Sequence, residues 1–132
     1  MNAIQKLKHL ILIRHAEMCD EFVPPDAVTA DNIDALYDAA DGDGCGLQDA
    51  REEVRGGEVE TDLRTPSSRN YEAKPVAANI NGSWIGWTYW YGGGKHGEPE
   101  AIDWIEYAYD LTVTEETKTI IVQTFKKVEQ AA

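Results

Sequence analysis

Asn81-Gly82 most constrains how this chain can fold, because it stands between two runs of strand-forming residues, V-A-A-N-I before it and S-W-I-G-W-T-Y-W-Y after it. Both central residues of a type I′ turn take positive φ, which Asn and Gly tolerate, so N-G between such runs is a strong hairpin signal. A two-residue loop also sets the register: Ile80 faces Ser83, Ala78 faces Ile85 and Val76 faces Trp87. Val76, Ala78, Ile80, Ile85, Trp87 and Tyr89 then share one face, the expected core. Trp84, Thr88 and Trp90 point the other way, and a second face carrying two Trp needs another layer of protein or a partner to cover it.

The flanking sequence completes an α+β reading. Residues 8–14, K-H-L-I-L-I-R, form a short apolar run bounded by basic residues, expected as a buried strand. The prolines at 24 and 25 break the chain into a loop. A helix is expected next, with Thr29 as N-cap, Asp31 and Asp34 in the first turn where the macrodipole favours anions, and Ile33, Leu36, Tyr37 and Ala40 at helical spacing. Gly42, Gly44 and Gly46 interrupt it. Leu47, Ala50 and Val54 then repeat at the same spacing until Gly56-Gly57 supplies a stop, which makes a helix-loop-helix. Residues 58–70 have little apolar content and read as a loop, with order returning at Tyr71. After the Trp hairpin, Pro99 opens one or two helical turns. Residues 107–113 and 118–125 are β-branched and aromatic runs separated by T-E-E-T, a second expected hairpin that sets Leu111 opposite Ile120 and Tyr109 opposite Val122. The last seven residues read as a frayed tail. At 132 residues the chain is expected to form one domain, 1–132, an antiparallel sheet of about four to five strands with the two short helices inserted after the first strand.

Charge is placed unevenly. The net charge is −12, yet residues 17–62 carry fifteen Asp and Glu against only Arg51 and Arg55, a local charge of −13. Such a block repels nucleic-acid phosphates at long range and attracts basic partners. No run approaches the roughly 18 apolar residues that cross a bilayer, so no membrane partner is expected and the cytoplasm is the expected compartment. Cys19 and Cys45 lack any C-x-x-C spacing and are expected as reduced thiols.

Four stretches carry possible chemistry. L-I-L-I-R-H-A-E, residues 10–17, resembles the opening motif of the histidine phosphatase family, in which a strand delivers an Arg-His-Gly whose His is phosphorylated. The resemblance implies His15 as nucleophile, Arg14 as phosphate ligand and His96 as the second His, with Ala16 standing where the family has Gly. D-G-D-G-C-G-L-Q-D-A-R-E, residues 41–52, is similar to an EF-hand calcium loop, implying Asp41, Asp43, Asp49 and Glu52 as oxygen ligands and Gly46 at the sharp turn. Cys45 and Gln48 depart from that pattern, and an acidic, Gly-rich helix connection without metal is the favoured reading. G-G-G-K-H-G-E, residues 92–98, lacks the spacing of a phosphate-binding loop and reads as a connection. Trp84, Trp90 and Tyr91 could stack bases, but a single-strand binder also needs a basic groove, and core packing explains most of these rings better.

Together these features point to a small acidic protein, more an inhibitor than an enzyme, that works by binding another protein and needs no cofactor. In size and composition it looks like the compact acidic proteins carried by phages and plasmids that block restriction or CRISPR machinery by imitating DNA charge. The expected partner is a basic protein surface on a nucleic-acid-binding protein, with no direct contact to nucleic acid. It would be met by Asp31, Asp34, Asp38, Asp41, Asp43, Asp49, Glu52 and Glu53 and by Trp84 and Trp90. The alternative is a small phosphatase-like hydrolase using Arg14 and His15.

Overall fold

Three helices precede every strand in the computed structural model, which describes all residues except 21, 23–26, 43–45, 95–96 and 129–132. They are α1 (Ala3–Met18), α2 (Ile33–Asp41) and α3 (Gln48–Arg55). Four antiparallel strands follow in the order β1-β2-β3-β4: β1 (Val59–Glu60), β2 (Glu72–Ile80), β3 (Ser83–Tyr91) and β4 (Tyr109–Leu111). The 3₁₀ turns Pro99–Ala101 and Ile105–Tyr107 lie between β3 and β4. The domain is α+β, with the helices ahead of the sheet rather than inserted after a first strand.

The largest correction concerns residues 8–14, expected as a strand and found inside α1. The helix starts upstream of that window, at a capping box. Gln5 N–H donates to Asn2 Oδ1 at 2.8 Å and Asn2 N–H donates to Gln5 Oε1 at 3.0 Å, so two otherwise unpaired amides are satisfied reciprocally. Ala3, Leu7, Ile11, Leu12 and His15 then fall on one buried face with helical period, a pattern too long to show in a seven-residue window. α2 begins at Ile33, after a turn in which Asn32 Oδ1 accepts from Thr29 N–H at 2.7 Å, so Thr29 starts the turn and Asn32 takes the N-cap position. Ile33, Tyr37 and Ala40 of α2 and Ala50 and Val54 of α3 are buried as their spacing requires.

Turn chemistry sets the centre of the sheet. Asn81 and Gly82 have φ of 49° and 86°, and β2 pairs with β3 in the expected register, Ile80 with Ser83, Ala78 with Ile85 and Val76 with Trp87. Those six residues are all buried except Ser83, and the helices cover that face to build a core with Leu7, Ile11, Ile33 and Leu47. A Cβ added at Gly82 would have open space around it, so a side chain there meets backbone strain alone. Gly82→Val is therefore expected to cost about 1–3 kcal/mol, read as a lower denaturation midpoint; an unchanged midpoint would remove the positive-φ turn from the fold.

β1 arises where a loop was expected. Val59 and Glu60 pair with Ala77 and Val76 of β2, and the adjoining Thr61 N–H donates to Pro75 O at 2.8 Å. The second expected hairpin is not formed among the described residues. Of its two runs only Tyr109–Leu111 is a strand, it pairs with Gly86–Trp84 of β3, and residues 112–128 lie outside any strand. Cys19, at the C-cap of α1, is disulfide-bonded rather than a reduced thiol, while Cys45 lies outside the described residues.

Candidate functional site

The acids of α2 and α3 point to solvent, but α1 brings bases against them. Lys8 Nζ donates to Asp34 Oδ1 at 2.9 Å and Gln5 Nε2 donates to Asp34 Oδ2 at 3.3 Å. These two hydrogen bonds, Lys8 first, hold the Asp34 carboxyl below its usual pKa. Arg14 reaches Glu17 at 3.1 Å and Glu53 at 3.6 Å, Arg51 reaches Asp41 at 2.9 Å, and Arg55 reaches Glu52 at 3.6 Å. Four of the eight expected partner-binding acids thus already have a cation from the same chain. Asp31, Asp38 and Asp49 are exposed and make no ion pair among the described residues, and Asp43 lies outside those residues.

Asp41 and Glu52, the first and last ligands of the calcium reading, are both held by arginines. Arg51 also donates to the Tyr37 hydroxyl at 3.2 Å and Gln48 Oε1 at 3.3 Å, which ties α2 to α3 across the loop. Among the described residues no cluster of three or more His, Cys, Asp or Glu could hold a metal ion.

Arg14 and His15 lie on α1 and not at the end of a strand. His15 is 3% exposed, its ring is 4.7 Å from that of Phe22, and its Nε2 has no hydrogen-bond partner among the described residues. His96 lies outside those residues. A phosphate would have to reach an imidazole buried in the helix layer.

The two tryptophans differ. Trp84 is half-buried, and Trp90 is buried as one wall of a cleft of about 440 Å³ shared with Thr88, Ile102, Trp104, Tyr107 and Pro66, with Asp103 at its rim. Ile102, Trp104 and Tyr107 thus flank Trp90, whereas Trp84 lies beside Leu63, Leu111 and Val113. No family model, curated protein or solved structure matches this chain. The site therefore rests on its own geometry.

One buried node had no signal in the sequence beyond the second of two Arg in an acidic helix. Arg55 packs over the Tyr89 ring at 4.7 Å, donates through Nη1 to Trp90 O at 2.7 Å, and its own carbonyl accepts from Trp87 Nε1 at 2.8 Å. It joins the acidic helix layer to the aromatic strand, so the exposed face of α3 is held rigidly against the sheet.

Proposed function

We propose that the protein is a small acidic, non-enzymatic inhibitor that binds a basic surface on a nucleic-acid-handling protein, such as a restriction or CRISPR type complex, in place of DNA. The observation that carries this reading is the set of Asp31, Asp38 and Asp49, exposed and outside every ion pair of the described residues, on α2, α3 and the turn before α2, so their field is not cancelled locally. Rim charges of this kind act chiefly on association rate and choice of partner. The paired acids, Asp34, Asp41, Glu52 and Glu53, add less, because each shares its field with a neighbouring cation.

The hydrolase alternative built on Arg14 and His15 has no comparable support, given the burial of His15. No helix among the described residues is long and apolar enough to cross a membrane. The reading sets the protein in the cytoplasm beside its partner. Cytosolic thiols are kept reduced, so the state of Cys19 in protein recovered from its host bears directly on that placement.

The test uses a partner recovered from the native host by the tagged protein. Asp31→Asn, Asp38→Asn and Asp49→Asn together remove three charges without breaking an ion pair, so folding should be unchanged. The association rate at low salt is expected to fall about tenfold, within the range that electrostatic steering spans. DNA should compete with the wild-type protein. A partner that handles no nucleic acid, or an unchanged rate with undiminished displacement of DNA, would leave the acidic face as a solubilising surface only.

A further inference from the structure

The sequence 118–128, K-T-I-I-V-Q-T-F-K-K-V, has strong strand propensity and three lysines with no acid, yet it joins no strand and stays exposed along its length among the described residues. Ile120, Ile121, Val122 and Phe125 are 79, 88, 80 and 85% exposed. A bare β-branched run of this kind is an aggregation hazard unless something covers it.

The same chain carries an apolar cleft suited to the aromatic residue of such a run. β4 pairs with only Trp84–Gly86 of the nine-residue β3, and beyond Gly86 the 3₁₀ turns that precede β4, not a strand, lie against β3. The apolar cleft of Trp90, Trp104, Ile102 and Tyr107 lies where β4 has stopped. Around it, residues 98–106 carry Glu98, Glu100, Asp103 and Glu106 and no base. A peptide that fits would supply an aromatic anchor followed by positive charge, which is the order found in T-F-K-K at the end of this run.

We propose that this arm docks on a second copy of the chain, with Phe125 in the Trp90 cleft, Lys126 and Lys127 facing Asp103 and Glu106, and the two copies exchanging arms about a twofold axis. The direction of the chain favours exchange over folding back. β4 runs antiparallel to β3, with Tyr109 opposite Gly86 and Leu111 opposite Trp84, so the arm leaves at the Asn81-Gly82 end of β3, away from Thr88 and Trp90. Reciprocal exchange of identical segments closes a dimer without creating a new surface patch. The arms also carry lysines onto a body that is otherwise strongly negative, which offsets the repulsion between two acidic copies.

The test is the mass of the full chain in solution by light scattering over a range of concentrations, for wild type, Phe125→Asp and Tyr107→Asp. Both altered side chains are exposed in the single copy, Tyr107 at 71%, so circular dichroism and thermal midpoint should match wild type. Wild type should have twice the chain mass and each variant the chain mass. Mixing the two variants should restore dimer, because the intact arm of Tyr107→Asp meets the intact cleft of Phe125→Asp. A wild type that stays monomeric at every concentration overturns the proposal, as does a Phe125→Asp dimer of undiminished strength. Variants that are each monomeric but fail to associate when mixed would separate the arm from this cleft and overturn it too.

Discussion

Trp87→Ala is expected to lower stability by about 3–5 kcal/mol, the range for removing a large aromatic side chain from a packed core. Trp87 is fully buried, sits opposite Val76 in the hairpin, and its ring lies 5.8 Å from that of Trp104. It also donates from Nε1 to Arg55 O at 2.8 Å, so its removal leaves a buried carbonyl without that donor and adds about 1 kcal/mol. Set against a total of about 5–15 kcal/mol for a domain, the loss is large enough to populate the unfolded state at physiological temperature. The thermal midpoint should drop by about 10–25 °C for a domain of this size. Trp87→Phe retains most of the apolar contact and loses the hydrogen bond, and should fall between wild type and Trp87→Ala. If Trp87→Ala stays within about 1 kcal/mol of wild type, the hairpin is not the centre of the core.

The hairpin is legible in the sequence because everything that specifies it is local. Asn81-Gly82 fixes the turn, and a period of two then assigns Val76, Ala78, Ile80, Ile85 and Trp87 to one face without reference to the rest of the chain. α1 is harder to read because its signal is spread over fourteen residues, from the Asn2–Gln5 cap to buried His15, while the densest apolar stretch, Leu10 to Ile13, resembles a strand when taken alone. β1 has no local signal at all. Val59 and Glu60 become a strand only because β2 presents an edge to them, a long-range fact with no local composition behind it. Residues 118–125 have the strand propensity that their composition indicates, but they pair with no strand among the described residues of one copy.

The acidic surface is legible only as a count. Fifteen acids against two bases over residues 17–62 describes a block of sequence, whereas the field at the surface depends on which cations lie nearby in space. Lys8 and Arg14 stand outside the block in sequence and inside it in the fold, where they take up Asp34 and Glu53. That leaves Asp31, Asp38 and Asp49 as the uncompensated set, a choice that no composition argument could make. Arg55 carries the same lesson from the other side. One of two bases in the block, it serves the aromatic strand through Trp90 O and Tyr89, with its charge largely withdrawn from the surface.

Gly57→Val is expected to be as damaging as a core truncation although no core side chain is replaced. Gly57 has φ of 71°, so any side chain there carries the strain that Gly82 would, about 1–3 kcal/mol. Gly82 has open space around it. At Gly57 a Cβ would lie 2.6 Å from Val76 Cβ and 3.3 Å from Ala77 O, and both belong to the central strand paired with β3. Relief would require moving β2 or abandoning the turn that carries α3 into β1, where Gly57 N–H donates to Val54 O and Glu58 N–H donates to Ala77 O. Overpacking of this kind adds about 1–3 kcal/mol, for a total of about 2–6 kcal/mol. The comparison with Gly82→Val isolates the packing part, since the two sites share the sign of φ and differ in their neighbours. Denaturant midpoints should therefore rank wild type above Gly82→Val and Gly82→Val above Gly57→Val. Equal losses at the two glycines would mean that the turn after α3 does not approach Val76 this closely, and with it the placement of the acidic layer on the sheet would have to be redrawn.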